Sequence, residues 1–82
     1  MRDRKIPTGY VCQLKQYRLQ RQLTQDELAR DVACSRETIR NIETRRHIPY
    51  VLLGLRISST LGIPLEQVFF IREEVDHAAA QT

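Results

Sequence analysis

LTQDELARDVACSRETIRNIETRRHI, residues 23–48, holds two short helices with almost nothing between them. Each carries its own start signal. Thr24 and Glu27 have capping-box spacing: the hydroxyl can accept from the Glu27 amide while the carboxylate reaches back to the Thr24 amide. Leu23 and Leu28 flank that box as a hydrophobic staple. Asp26 and Glu27 put negative charge in the first turn, where the helix dipole favours it. The next helix starts at Ser35, a good N-cap, with Cys34 and Ile39 in the staple positions. Ala33 takes the tight turn between them.

Working outward, the apolar spacing gives each helix a buried side. Leu28, Ala29 and Val32 share one face of the first; Ile39, Ile42 and Glu43 share one face of the second. Arg36, Glu37, Arg40 and Asn41 are left pointing outward, with Thr38 at the edge. A bihelical unit that offers one polar helix face, which the core does not need, has the architecture of major-groove DNA reading.

The ordered set Thr24-Gln25, Leu28-Ala29, Val32, Ser35-Arg36, Thr38-Ile39, Ile42-Glu43 and Pro49 resembles the lambda-repressor and Cro-like (XRE) helix-turn-helix family of small bacterial or phage regulators. The resemblance spans residues 14–69. It includes Arg18 upstream and the late run Leu61-Gly62-Ile63-Pro64-Leu65-Glu66-Gln67-Val68-Phe69. It implies an all-α fold: a compact five-helix lambda-repressor-like DNA-binding domain with the helix-turn-helix at helices two and three. Three positions depart from the family pattern. Ala33 stands where glycine is usual, so the backbone there stays out of left-handed space or carries mild strain. Arg45 replaces a usual glycine or asparagine, and Tyr50 replaces a usual capping serine.

Eighty-two residues allow one domain. The division expected is a basic arm over 1–9, a DNA-binding domain over 10–70 and an acidic tail over 71–82. Helices are expected near 10–22, 25–33, 36–44, 50–61 and 65–69, with Gly62 closing the fourth and Pro64 preventing its continuation. Residues 68–71 have strand-like composition and could pair with Tyr10 and Val11 as a small terminal β-ribbon. In the first helix, Val11, Leu14, Tyr17 and Arg18 would share a face. In the fourth, Val51, Leu55, Ser58 and Leu61 would make the core stripe.

No apolar run reaches membrane-spanning length and the basic N-terminus is not a secretory signal, so a cytoplasmic protein is expected. Cys12 and Cys34 make neither a disulfide framework nor a metal set, and Cys34 reads as a small buried hydrophobe. No cofactor and no small-molecule ligand are indicated. Scattered Ser, Cys and His residues without triad spacing, and no phosphate-cradling glycine loop, argue against an enzyme. Net charge is +3 with a pI near 9.2, a mild bias towards polyanions. The positive charge gathers at Arg2, Arg4, Lys5, Lys15, Arg18, Arg21 and Arg45-Arg46-His47; Glu73, Glu74 and Asp76 make the end acidic.

Each polar position then has a chemistry. Arg36 suits guanine O6 and N7 in bidentate fashion, and Asn41 suits adenine N6 and N7. Glu37 can accept from cytosine N4 or orient Arg36 or Arg40. Thr38 can meet a thymine methyl, and Arg40 a base or the backbone. Phosphate contacts are expected from Gln25 at the opening of helix two, from Ser35, and from Arg45, Arg46 and His47. The resemblance implies that Arg18 and Glu43 pair across the first and third helices as a structural ion pair. Leu53, Ile57, Val68 and Phe70 look surplus to the core stripe and would form a two-fold dimer contact; cover within one subunit is the other reading. The function expected is a homodimeric, sequence-specific double-stranded DNA-binding transcriptional repressor on a near-palindromic operator. The alternative is a protein-interaction module, such as an antitoxin or accessory subunit, using the apolar face of helix four.

Overall fold

A computed structural model describes residues 9–71. The order is β1 (Tyr10–Cys12), α1 (Leu14–Gln20), α2 (Gln25–Val32), α3 (Arg36–Glu43), α4 (Val51–Leu61), α5 (Leu65–Val68) and β2 (Phe69–Ile71). The expected arm over 1–9 and acidic tail over 71–82 lie outside the described residues except for Gly9 and Ile71. The five expected helices are present, and the small ribbon with them.

The ribbon costs α1 its first turn. Tyr10, Val11 and Cys12 are aromatic, β-branched and small residues that suit a pleated strand, and they pair antiparallel with Ile71, Phe70 and Phe69 respectively. The Gln13 amide extends the pairing to the Val68 carbonyl at 2.7 Å. Val11 therefore lies on a strand and not on the α1 face where helical spacing had placed it. The ribbon joins the two ends of the domain.

The capping expectations hold atom by atom. Thr24 Oγ1 accepts from the Glu27 amide at 3.0 Å, and Glu27 Oε1 accepts from the Thr24 amide at 2.9 Å. Ser35 Oγ accepts from the Thr38 amide at 3.0 Å. These bonds satisfy helix-end donors that have no partner inside the helix. Ala33 adopts the left-handed conformation, φ 62° and ψ 51°, so the strained alternative is the one realised.

Leu14, Leu28, Ala29, Val32, Ile39, Ile42, Leu53, Ile57, Leu61 and Val68 make one core. Two expectations for α4 are corrected here. Its inward stripe is Leu53, Gly54, Ile57 and Leu61, whereas Val51 is 75% exposed and Leu55 50%. Gly54 explains the rotation: a Cβ there would sit 3.4 Å from Leu65 Cδ1, so the missing side chain lets α5 close onto this side. Consequently Leu53, Ile57 and Val68, expected at a dimer contact, are 2%, 0% and 0% exposed within one subunit and have no surface to offer a partner. Phe70 alone of that set stays at the surface, 40% exposed.

Candidate nucleic-acid interface

The orientation of α3 is set by what holds its last turn. The Glu43 side chain is buried against that of Arg18, and Arg18 Nε donates to Glu43 Oε2 at 2.6 Å. Arg18 Nη2 reaches Oε1 at 3.3 Å, and Nη1 donates to the Leu23 carbonyl at 2.8 Å. The expected pair thus exists, and it ties α1, the α1–α2 turn and α3 together. Buried charges persist when each is paired and its remaining hydrogen-bonding capacity is used, a condition met here.

A third member of this network was not legible in the sequence. Gln25 Nε2 donates to Glu43 Oε1 at 3.0 Å. The Gln25 amide, expected at a phosphate, therefore spends one N–H on the ion pair. Its second N–H remains, as do the backbone N–H groups of Gln25 and Asp26, which as first-turn groups have no acceptor within the helix. Gln25, Asp26, Thr24, Arg18 and Arg36 line one open cleft of about 610 Å³. The cleft brings the first outward residue of α3 beside the positive end of α2, with the Asp26 carboxylate at its rim.

Along α3, the outward residues fall where the spacing put them. Arg36, Glu37 and Arg40 are exposed and line a shallow depression together, while Asn41 is half-buried. Arg40 Nη2 lies 3.8 Å from Glu37 Oε2 with both side chains mostly in solvent. Such a surface pair contributes about 0–1 kcal/mol and yields readily to a better partner. Ser35 and Thr38 share a hydroxyl–hydroxyl bond of 2.8 Å, so Thr38 is held against the cap.

The loop after α3 divides its basic residues. Arg46 and His47 are exposed, and their amides both donate to the Asn41 carbonyl, at 2.8 and 3.2 Å. Arg45, also expected at a phosphate, is exposed as well but engages β1. Its Nη1 donates to the Tyr10 carbonyl at 2.9 Å, and its guanidinium stands 5.8 Å from the Tyr10 ring centroid. It docks β1 onto the end of α3. Cys12 does the same from the other strand end, donating its thiol to the Ile42 carbonyl at 3.4 Å. Burial pushes that thiol above its ordinary range and the nearby Glu43 carboxylate adds to the rise, outweighing the Leu14 amide and Arg45. It stays protonated and can donate. Burial likewise raises Cys34, which packs partly against the core. Neither Arg45 nor Cys12 had a sequence signal for this role, because their partners are some thirty residues away.

Among the described residues, no cluster of His, Cys, Asp or Glu could hold a metal ion, and no helix is long and apolar enough to cross a membrane.

Two capped helices in contact, the second tied through its last turn and carrying a polar flank outward, define a helix-turn-helix module. Comparison with known proteins agrees: the "Helix-turn-helix domain" family matches residues 10–67, and the chain belongs to that family. It is 34% identical over 61 residues to an uncharacterised HTH-type transcriptional regulator of Methanocaldococcus jannaschii, covering 74% of this chain and 92% of the relative. It is 36% identical over 62 residues to another from Methanothermobacter thermautotrophicus (74% and 90% covered) and 31% identical over 61 residues to one from Bacillus subtilis (74% and 92%).

Proposed function

We propose that the chain is a cytoplasmic, sequence-specific double-stranded DNA-binding transcriptional regulator, acting as a repressor, that binds a near-palindromic operator as a homodimer. The observation that carries this reading is the outward flank of α3. Arg36, Glu37, Arg40 and Asn41 project from a helix whose opposite side is fixed by Ile39, Ile42 and the Arg18–Glu43–Gln25 network. A short helix held so firmly along one side can enter a major groove as a rigid probe.

In this reading Arg36 takes guanine O6 and N7, and Asn41 takes adenine N6 and N7. Glu37 releases Arg40 when it finds a cytosine amino group, freeing Arg40 for a base or phosphate. The α2 N-terminus, through its backbone amides and the remaining Gln25 N–H, holds one phosphate. Ser35 touches the same strand, and Arg46 and His47 hold the backbone beyond the far end of α3. Arg45 contributes indirectly, by fixing the loop that carries Arg46.

Selection of bound sites from random duplex DNA tests the assignment. Arg36→Ala and Asn41→Ala should each relax preference at a separate base position, at a cost of about 1–3 kcal/mol. Arg46→Ala should weaken every sequence alike and reduce the salt slope by about 1. Base preferences that survive both α3 substitutions would refute base reading by these residues.

A further inference from the structure

The residues left over from the core form a face of their own. Ile48, Tyr50, Val51, Leu52, Leu55 and Ile71 are exposed large apolar residues. Tyr10, Ile48, Pro49, Tyr50, Val51 and Leu65, with Phe69 and Ile71, wall an open groove of about 510 Å³ floored at Gly54. Val51 stands at its lip, and Leu55, one helical turn on, continues with Leu52 as a ridge beside it. Glu66 is the charged side chain among the described residues of the lining.

We infer that this groove and ridge are the surface through which two copies of the chain associate, about a two-fold axis that seats the Val51–Leu55 ridge of each copy against the groove of the other. The inference rests on the homodimer reading above and replaces the buried Leu53, Ile57 and Val68 as its contact. Four observations favour a second copy over other occupants. A groove with an adjacent ridge on one face is self-complementary, which an isologous contact requires. Six such side chains, each roughly half or more exposed, present on the order of 700 Å² of apolar-rich surface, close to the roughly 800 Å² per partner of a standard stable interface. The near absence of charge from the described lining avoids the like-charge meeting that a two-fold axis would otherwise impose. Finally, the face begins at Ile48, directly after the loop that closes α3, so pairing there would fix the two reading flanks relative to one another.

Phe70 is not part of it. Phe69 and Ile71 lie on one side of the ribbon and Phe70, with Val11 opposite, on the other.

Sedimentation equilibrium of the full chain, across the micromolar range and without DNA, tests the inference. The wild-type chain should weigh about twice 9.6 kDa. Val51→Glu and Leu55→Glu should each raise the dimer dissociation constant by about 100-fold, because the symmetric contact buries each new carboxylate twice. Thr60→Glu, on the exposed polar end of the same helix, should leave the mass unchanged, as should Phe70→Glu. Val51 and Leu55 are solvent-exposed in one subunit, so helical circular dichroism at low concentration should match wild type in every variant. A wild-type mass of one copy overturns the inference and leaves the face to a different protein. So does a dimer that withstands Val51→Glu and Leu55→Glu, or one that Phe70→Glu dissolves. Duplex binding, measured in parallel, separates this from the regulator reading. A dimer that behaves as expected but binds no duplex sinks only that reading; duplex binding by a dimer indifferent to these substitutions sinks only this contact.

Discussion

Gln22, Ala33 and Arg45 all carry positive φ, 59°, 62° and 63°, and each sits just past a helix. With Gly62 at 70°, they close four helices by one device. In each case the next amide reaches back to a helical carbonyl: Leu23 to Arg18, Cys34 to Ala29, Arg46 to Asn41 and Ile63 to Ser58. This is the Schellman arrangement, and it needs a left-handed residue. Gly62 adopts that conformation without a Cβ penalty. The other three pay about 1–2 kcal/mol each. Ala33 is exposed, so glycine there should relieve strain at little loss. Ala33→Gly is predicted to stabilise the domain by about 1 kcal/mol, raising Tm by roughly 4–8 °C in a thermal melt. A lowered Tm would mean that the turn gains something specific from the methyl group. Glycine at Arg45 would not give the same gain, because it would also remove the two contacts with Tyr10.

At the scale of elements, the helix-turn-helix was legible because its determinants are local. Thr24, Glu27 and Ser35 cap within three residues of themselves, and Leu28, Val32, Ile39 and Ile42 repeat at helical spacing. The phase of α4 was not legible. Val51, Leu52, Leu53, Leu55 and Ile57 allow two apolar stripes, and only the approach of α5 across Gly54 chooses between them. Tyr10 and Val11 fit both the face of a first helix and a ribbon with residues 68–71, and only the pairing with β2, at the other end of the domain, chooses the strand. Of the candidate site, the Arg18–Glu43 pair came from family resemblance, and Gln25 joins it through a contact that no spacing rule encodes. That network joins α1, α2 and α3, and its loss belongs to this scale. Glu43→Ala would leave the Arg18 guanidinium buried without its partner, at about 3–5 kcal/mol. A domain of this size holds only some 4–12 kcal/mol in total. The variant should melt far below wild type and lose DNA binding with its fold, whereas Glu43→Gln, which keeps one acceptor, should fall between. An unchanged melt for Glu43→Ala would show that the pair does not hold α3.

At the scale of the whole molecule, the described residues place a basic flank and an apolar face on either side of the α3–α4 loop. Arg36, Arg40, Arg46 and His47 surround the exposed flank of α3, whereas Ile48, Tyr50, Val51 and Leu55 begin the face beyond the loop. Phosphate neutralisation at the first face releases counterions, so affinity should fall steeply as salt rises, while an apolar contact at the second would be far less sensitive. Two reading flanks in successive major grooves must stand about 34 Å apart, and the short connection from α3 to α4 couples that spacing to whichever surface pairs the copies. The most direct test of the central claim is backbone amide mapping by NMR while the selected duplex is titrated in at low ionic strength. The shifts should concentrate at Gln25, Asp26, Arg36, Glu37, Arg40, Asn41 and Arg46, and Arg56, Ser59 and Thr60 on the polar end of α4 should stay silent. No complex at any duplex concentration, or shifts gathered on α4 with α3 unmoved, would contradict it.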